Sequence, residues 1–191
     1  RRQAAPIGSA TPVPGVNWVN MRGPTVDATD VRDLTQLELS HRRQIWKMVE
    51  GLRNTPGYES IYLVETAPQL GVRISRILQG LKTLTYSGAE SGAAFADVIG
   101  FGGRCYRLKD GWQIPYGALV PRNVNGLLAA GRCISTEAKM LEPMRLIAPC
   151  FVTGHAAGAA AALMVKDRCR GAEVELPKLH KLLKDQGAYL G

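Results

Sequence analysis

The chain has 191 residues, enough for one ordinary domain or a little more and for a substantial core. With 46% hydrophobic and 21% charged residues, and glycine and proline in no repeating pattern, it is not collagen-like, coiled-coil or tail-like. Its net charge is +8, but the basic residues are scattered between Arg1/Arg2, Arg42/Arg43 and positions 178–184 without interleaved aromatics, which argues against a nucleic-acid surface.

In chain order, residues 1–32 are rich in Pro, Gly, Asn and Asp and read as irregular chain. The start, RRQAAPIGSATPVP, has no apolar core of signal-peptide length and no initiator Met, as expected of a processed product, a trimmed chain or a piece of something larger. Thr35 to Glu38 fits a capping box, and Leu37, Ile45, Met48 and Leu52 then share one face, so an amphipathic helix of about five turns is expected, ended by Asn54-Thr55-Pro56-Gly57. His41 falls near its apolar stripe, as a hydrogen-bonded core histidine would.

Residues 60–65 (SIYLVE) have strand composition. So do residues 71–78, where period two puts Val72, Ile74, Arg76 and Leu78 on one face and Arg73, Ser75 and Ile77 on the other. One arginine must then share a side with aliphatic residues. A buried guanidinium needs a counter-charge, so either an acid such as Glu65 or an anionic substrate is its expected partner.

Residues 80–111 hold Gly-rich turns and little periodicity, and residues 112–120 (WQIPYGALV) look extended, with Pro115 confining them to an edge or kink. After the turn at Asn125-Gly126, residues 127–130 (LLAA) read as a strand buried on both faces, ending at Gly131-Arg132.

A helix opened by Pro149 at its first position follows; its free amides make an anion site. The uncharged run from Pro149 to Val165 is read as a buried, closely packed helix rather than a membrane span. Gly154 and Gly158 inside it each cost about 1 kcal/mol against Ala, so close approach to a sheet or to a bound cofactor is expected. A last amphipathic helix spans 174–183, with Leu176, Leu179 and Leu183 inward and His180 at the surface. Cys105, Cys133, Cys150 and Cys169 show no metal-ligand spacing, so no metal site is expected, and they read as buried, reduced thiols, consistent with a cytoplasmic setting.

The residues NGLLAAGRCIS, followed by R-x-x-x-P and TGHAAGAAAAL, resemble the carboxyl-terminal end of FAD-dependent oxidoreductases with the glutathione-reductase-type dinucleotide fold, the group that includes fumarate reductase and succinate dehydrogenase flavoproteins. Upstream, LTQLELSHRRQIWKMVEGLR, ETAPQLGVRISRILQG and IPYGALVP are similar to one branch of these enzymes, so the likeness covers most of residues 17–191. The resemblance implies an α/β (or α+β) fold. It makes residues 1–118 mostly a substrate or cap domain and 119–191 the final strand and helices of an FAD domain.

It also implies FAD as cofactor and hydride transfer between a small organic substrate and flavin N5. Gly131 and Arg132 would meet the ribityl-diphosphate region, with Arg145, Leu146, Ile147 and Ala148 beside the ring. Many relatives have an acid where this chain has Arg132, which favours a phosphate contact there. Arg73, Arg76 and Arg145 are candidates for binding or polarising an oxygen-bearing substrate, and Tyr116 for proton transfer. His155, about two turns into the helix, is read as packing.

The sequence contains no G-x-G-x-x-G: Gly100-Phe101-Gly102-Gly103 fails because the last required position is Cys105. The expected partner is therefore a second polypeptide carrying the amino-terminal FAD-binding portion, whose sheet the 127–130 strand would complete. Two other classes remain open at this point: a non-catalytic subunit that stabilises a flavoprotein, and a basic module binding nucleic acid or an acidic partner.

Overall fold

The structure is a computed structural model that describes residues 7–105 and 107–191. Its backbone forms two compact units, residues 1–75 and 76–191, each described by itself. The position near 118 used to separate substrate and FAD portions falls inside the second unit. The sequence reading of residues 1–6 and Tyr106 lies outside the described residues.

The first unit is built on one long helix. Two short strands, β1 (Ser9–Ala10) and β2 (Asn17–Trp18), pair antiparallel ahead of it. Helix α1 spans Val31–Arg53, with Asp30 as N-cap accepting from the Arg32 amide at 2.7 Å. The N-cap is thus five residues earlier than the Thr35 of the capping box, because Asp30 holds a free first-turn amide while the Thr35 hydroxyl donates within the helix to Val31 O. The helix stops at Asn54, as its turn residues require. His41 Nε2 is buried without a hydrogen-bond partner, and a methyl added to Gly23 would lie 2.1 Å from it. That close packing replaces the hydrogen bond expected of a core histidine.

Neither expected strand forms in 60–65 or 71–78. In the first, Ile61 and Leu63 are half-buried while Tyr62 and Val64 are exposed, so the period of two is present. What is missing is a partner: the Ile61 carbonyl is taken by Arg53 Nε at 3.0 Å. In the second, Arg73 and Arg76 are both exposed, so the expected buried guanidinium does not exist.

The second unit combines a hairpin, extended segments and helices in an α+β arrangement. Helix α2 (Tyr86–Ser91) is capped by Thr85 and ended by Gly92. Strand β3 (Val98–Gly102) pairs antiparallel with β4 (Trp112–Pro115). The hairpin requires glycine at 102, where a Cβ would sit 1.8 Å from the Trp112 ring. Pro115 ends β4, and Tyr116–Ala118 form one 3-10 turn. Residues 78–84 then thread between two segments: Leu81 N bonds Val120 O and Lys82 N bonds Gly117 O on one side, while Leu78 N bonds Cys133 O and Leu84 N bonds Ser135 O on the other.

Short helix α3 (Leu141–Met144) leads into α4 (Ile147–Asp167), and α5 (Leu176–Asp185) follows. Leu84, Ile114, Ile134, Met144, Leu179 and Leu183 lie fully inside the core. Each such side chain contributes about 1.5–3 kcal/mol relative to exposure. Helix α5 turns Leu179 and Leu183 inward as its period requires, with Leu176 half-buried. His180 is half-buried and its Nε2 has neither solvent nor partner, contrary to the expected surface position.

Two expectations about α4 and its preceding segment are overturned. Residues 127–130 belong to no sheet and are not buried on both faces: Leu127 is 48% exposed and Ala129 N→Leu119 O, at 2.9 Å, is their one backbone bond through an amide. Helix α4 is packed on one side only. Thr153, Ala156 and Ala160 face the core, whereas Gly154 and Gly158 are exposed, and a methyl at either would meet nothing within 4 Å. Their glycines therefore make no tight contact with the chain's own sheet.

Candidate functional site

The residues expected to meet a cofactor converge where 131–133 touches the first turns of α4. Gly131 opens a 3-10 turn over Gly131–Cys133 at φ +73°, a conformation that favours glycine. Thr153, wholly buried on α4, ties this turn to the helix: its Oγ1 accepts from Gly131 N–H at 2.9 Å and donates to Pro149 O at 2.8 Å. Cys150 Sγ lies beside the same turn, 3.6 Å from where a Gly131 Cβ would be.

The start of α4 is uncapped. Leu146 is the N-cap residue, extended and without a side-chain bond, and the first helical residue is Ile147, two positions before Pro149. Proline at the third position removes an amide that would lack an intrahelical partner in any case. The amides of Ile147 and Ala148 have no acceptor among the described residues, and both residues are exposed with Leu146. A 21-residue helix ending this way presents roughly half a positive charge to whatever lies there.

Arg145 is the C-cap of α3 and immediately precedes this end. Its Nε donates to Glu142 Oε2 at 2.8 Å, and the side chain is 21% exposed. The carboxylate offsets a cation that would otherwise face the positive helix end. Arg132 is exposed on the adjoining turn.

The other sequence candidates do not join this cluster. Arg73 belongs to the first unit and Arg76 to the second; both are exposed, and neither makes a hydrogen bond or ion pair among the described residues. Tyr116 is a core residue, 4% exposed, whose hydroxyl donates to Gly171 O at 2.9 Å. Burial, with a smaller contribution from the nearby Cys169 thiol, pushes its pKa up to about 12. A phenol so held is a packing group, and it drops out of the proton-transfer role. His155, at the helix surface, bonds Gln186 at 2.6 Å and so joins α4 to the chain after α5.

The thiols are all free; Cys133 is exposed, while Cys105, Cys150 and Cys169 are half-buried rather than buried. Sequence reasoning missed Thr153 as the link between the glycine turn and the helix. The signal available was a hydroxyl residue in an otherwise Ala/Gly helix, but the link itself is visible only in the fold.

A family model for FAD dependent oxidoreductases matches residues 4–183. The chain belongs to that family. FAD is accordingly its cofactor and its function is flavin-linked redox chemistry. No curated protein and no solved structure matches the chain in the parallel comparisons.

The residues at α4 fit the flavin end of FAD: two free amides at a positive helix end suit a group that accumulates negative charge, and a glycine turn beside them admits close approach. By length and composition α4 is also apolar enough to cross a membrane, the one such helix among the described residues.

Proposed function

We propose that this chain supplies the flavin-ring side of the active site of a dehydrogenase of the glutathione-reductase-type, two-domain architecture. FAD, when bound, supplies the hydride acceptor or donor. Ile147 and Ala148 would offer their amides to the electron-rich edge of the ring, and α4 adds its dipole to theirs. Because these donors are fixed by the helix, they stabilise developing negative charge without reorganising. Gly131 and Arg132 would lie along the ribityl-diphosphate chain, Gly131 by leaving room and Arg132 by its charge.

Arg145, positioned by Glu142, would bind or polarise an oxygen-bearing substrate, its positive charge steadied by that carboxylate. Arg73 and Arg76 enter as exposed cations that could each anchor a carboxylate group of a substrate. In this reading 119–191 belongs to the FAD domain and most of 1–118 to the substrate portion. A polypeptide segment with the G-x-G-x-x-G turn holds the nucleotide half of FAD.

The observation that carries the reading is the Thr153 bond, which places the positive-φ glycine against an uncapped, exposed helix start in a chain of an FAD family. The test is the visible absorption spectrum of the native assembly, with mass spectrometry of the same sample. Oxidised-flavin absorption that bleaches on adding a reductant supports it. A colourless, FAD-free assembly refutes it.

A further inference from the structure

We propose that the groove between β3, the second turn of α4 and residues 188–189 binds the ring portion of the substrate, a planar, uncharged ring carrying a hydroxyl or N–H group. Its role as a substrate site rests on the flavoprotein reading above, whereas the ring chemistry rests on the groove itself.

The groove lies wholly within the second unit and encloses about 460 Å³, lined chiefly by Ile99, Phe101, Phe151, Val152, His155 and Tyr189. That volume is in the range of small-molecule sites, roughly 300–1,000 Å³. A glycine shapes the floor. Gly100 stands at φ +150°, and a Cβ there would lie 2.5 Å from Val152 Cγ1, so β3 comes closer to α4 than a larger residue would permit.

Half of these six lining residues are aromatic. Phe101 and Tyr189 meet with ring centroids 5.3 Å apart, tilted by 38°. Phe151 and Tyr189 are 75% and 76% exposed, and Phe151 has no ring partner among the described residues. Open rings around a hollow gain from a flat aromatic guest, whose faces and edges complement theirs. No Asp, Glu, Lys or Arg lines the groove, although the chain as a whole carries +8. A carboxylate or ammonium would lose water there without a counter-charge, so the part that enters is neutral.

His155 supplies direction. Its Nε2 lies 2.6 Å from Gln186 Oε1. With the amide oxygen accepting, the proton sits on Nε2, which leaves Nδ1 as an acceptor on a residue that lines the groove. A hydroxyl or N–H on the guest matches it. An aliphatic chain would fill the volume but leave that acceptor unmatched, and a peptide segment would bring more amides and carbonyls than His155 and Tyr189 can satisfy. Phe151 follows Ile147 by one helical turn, about 6 Å along α4. The groove therefore begins one turn from the amides assigned to the flavin edge, where the other end of a bound substrate would react.

The test is a titration with naphthol, a flat neutral ring with one hydroxyl donor, followed by its own fluorescence. It is run on the native assembly, purified through an affinity tag on this chain, and on the isolated full chain. Saturable binding is expected to both. Methoxynaphthalene, which lacks the donor, should bind about three- to tenfold more weakly, and charged naphthoate more weakly than naphthol. Phe151→Ala should weaken naphthol at least about tenfold and leave the melting temperature unchanged, since the ring is exposed. His155→Phe should make naphthol and methoxynaphthalene bind alike, an equalisation that a merely structural histidine does not produce.

No binding, binding unchanged by Phe151→Ala, or a hydroxyl preference that survives His155→Phe overturns the proposal. So does binding to the isolated chain alone, which would mean that another polypeptide covers the groove. Flavin absorbance is read separately on the same assembly. A colourless assembly that binds naphthol as described refutes the redox reading and leaves the ring site standing; a yellow one that does not bind it does the opposite.

Discussion

Replacing Thr153 by Val asks whether the Gly131 turn depends on its bond to α4. The two side chains have nearly the same shape, so the wholly buried site stays filled, and the change removes one hydroxyl. That hydroxyl accepts from Gly131 N–H at 2.9 Å; its own donation, to Pro149 O, ends on a carbonyl in the helix ladder. The loss that matters is therefore the orphaned Gly131 amide. A buried donor without an acceptor costs about 1–3 kcal/mol, and half-burial at Gly131 keeps this near 1–2 kcal/mol because water reaches part of it.

For a unit of this size that is a fall in melting temperature of roughly 4–8 °C. Thr153→Ser is the control. It keeps the acceptor and loses a buried methyl, at about 1 kcal/mol. The two variants should thus melt within a few degrees of each other yet differ in cofactor retention: the Ser form keeps its flavin on gel filtration, and the Val form loses most of it. Both are read by differential scanning fluorimetry and by flavin-to-protein absorbance ratio. If the Val form melts like the parent and retains as much flavin, the turn does not depend on Thr153 and the site as drawn is wrong.

Gly154→Ala and Gly158→Ala should each stabilise the chain by up to about 1 kcal/mol in chemical denaturation, since the added methyl meets open space. Gly102→Ala drives a methyl into the Trp112 ring and should destabilise by more than about 2 kcal/mol, seen as loss of the native tryptophan emission maximum on milder heating.

Tyr116 gives a pH prediction. Its pKa is about 12 in the fold against 10 when unfolded, so its contribution to stability is full below pH 10 and is lost as pH rises toward 12. Denaturant midpoints across that window should fall for the parent more than for Tyr116→Phe, which should be lower by about 1 kcal/mol at neutral pH for want of the bond to Gly171. At the other extreme, the exposed Glu173 carboxyl, held ionised by its hydrogen bond from Arg170, should titrate near pH 2 in a carboxyl-resolved NMR experiment.

What could be read from the residues divides along a physical line. Elements whose determinants are local appear where expected: the end of α1 at Asn54 and the inward leucines of α5 follow from a turn residue and a period of 3.6, while of the extended run expected over 112–120 only Trp112–Pro115 is strand, the chain turning into a 3-10 helix at Tyr116. Elements that need a distant partner do not. SIYLVE alternates in burial as a strand should, but among the described residues no second strand pairs with it, and LLAA has the composition of a central strand while only its Ala129 amide is bonded there. Composition reports what a segment would bury, not whether the burying surface is present. The Thr35–Glu38 box puts the start of α1 too late because a cap pattern does not say which first-turn amides are free, and in the fold it is Asp30 that accepts from one.

The same division runs through the site. Family likeness names Gly131 and the 146–148 stretch, and the Thr153 bond ties the first to the helix that the second begins, whereas period two suggests a buried arginine at 73 or 76 that an unpaired segment has no means to bury.

The exposed thiol at Cys133 closes the turn that Gly131 opens, and the other three thiols are half-buried. A maleimide dye offered at limiting ratio should settle first on that sulfur. The native chain thereby carries its own labelling point next to the proposed flavin position, and quenching of the dye would follow cofactor loading in real time without any engineered cysteine.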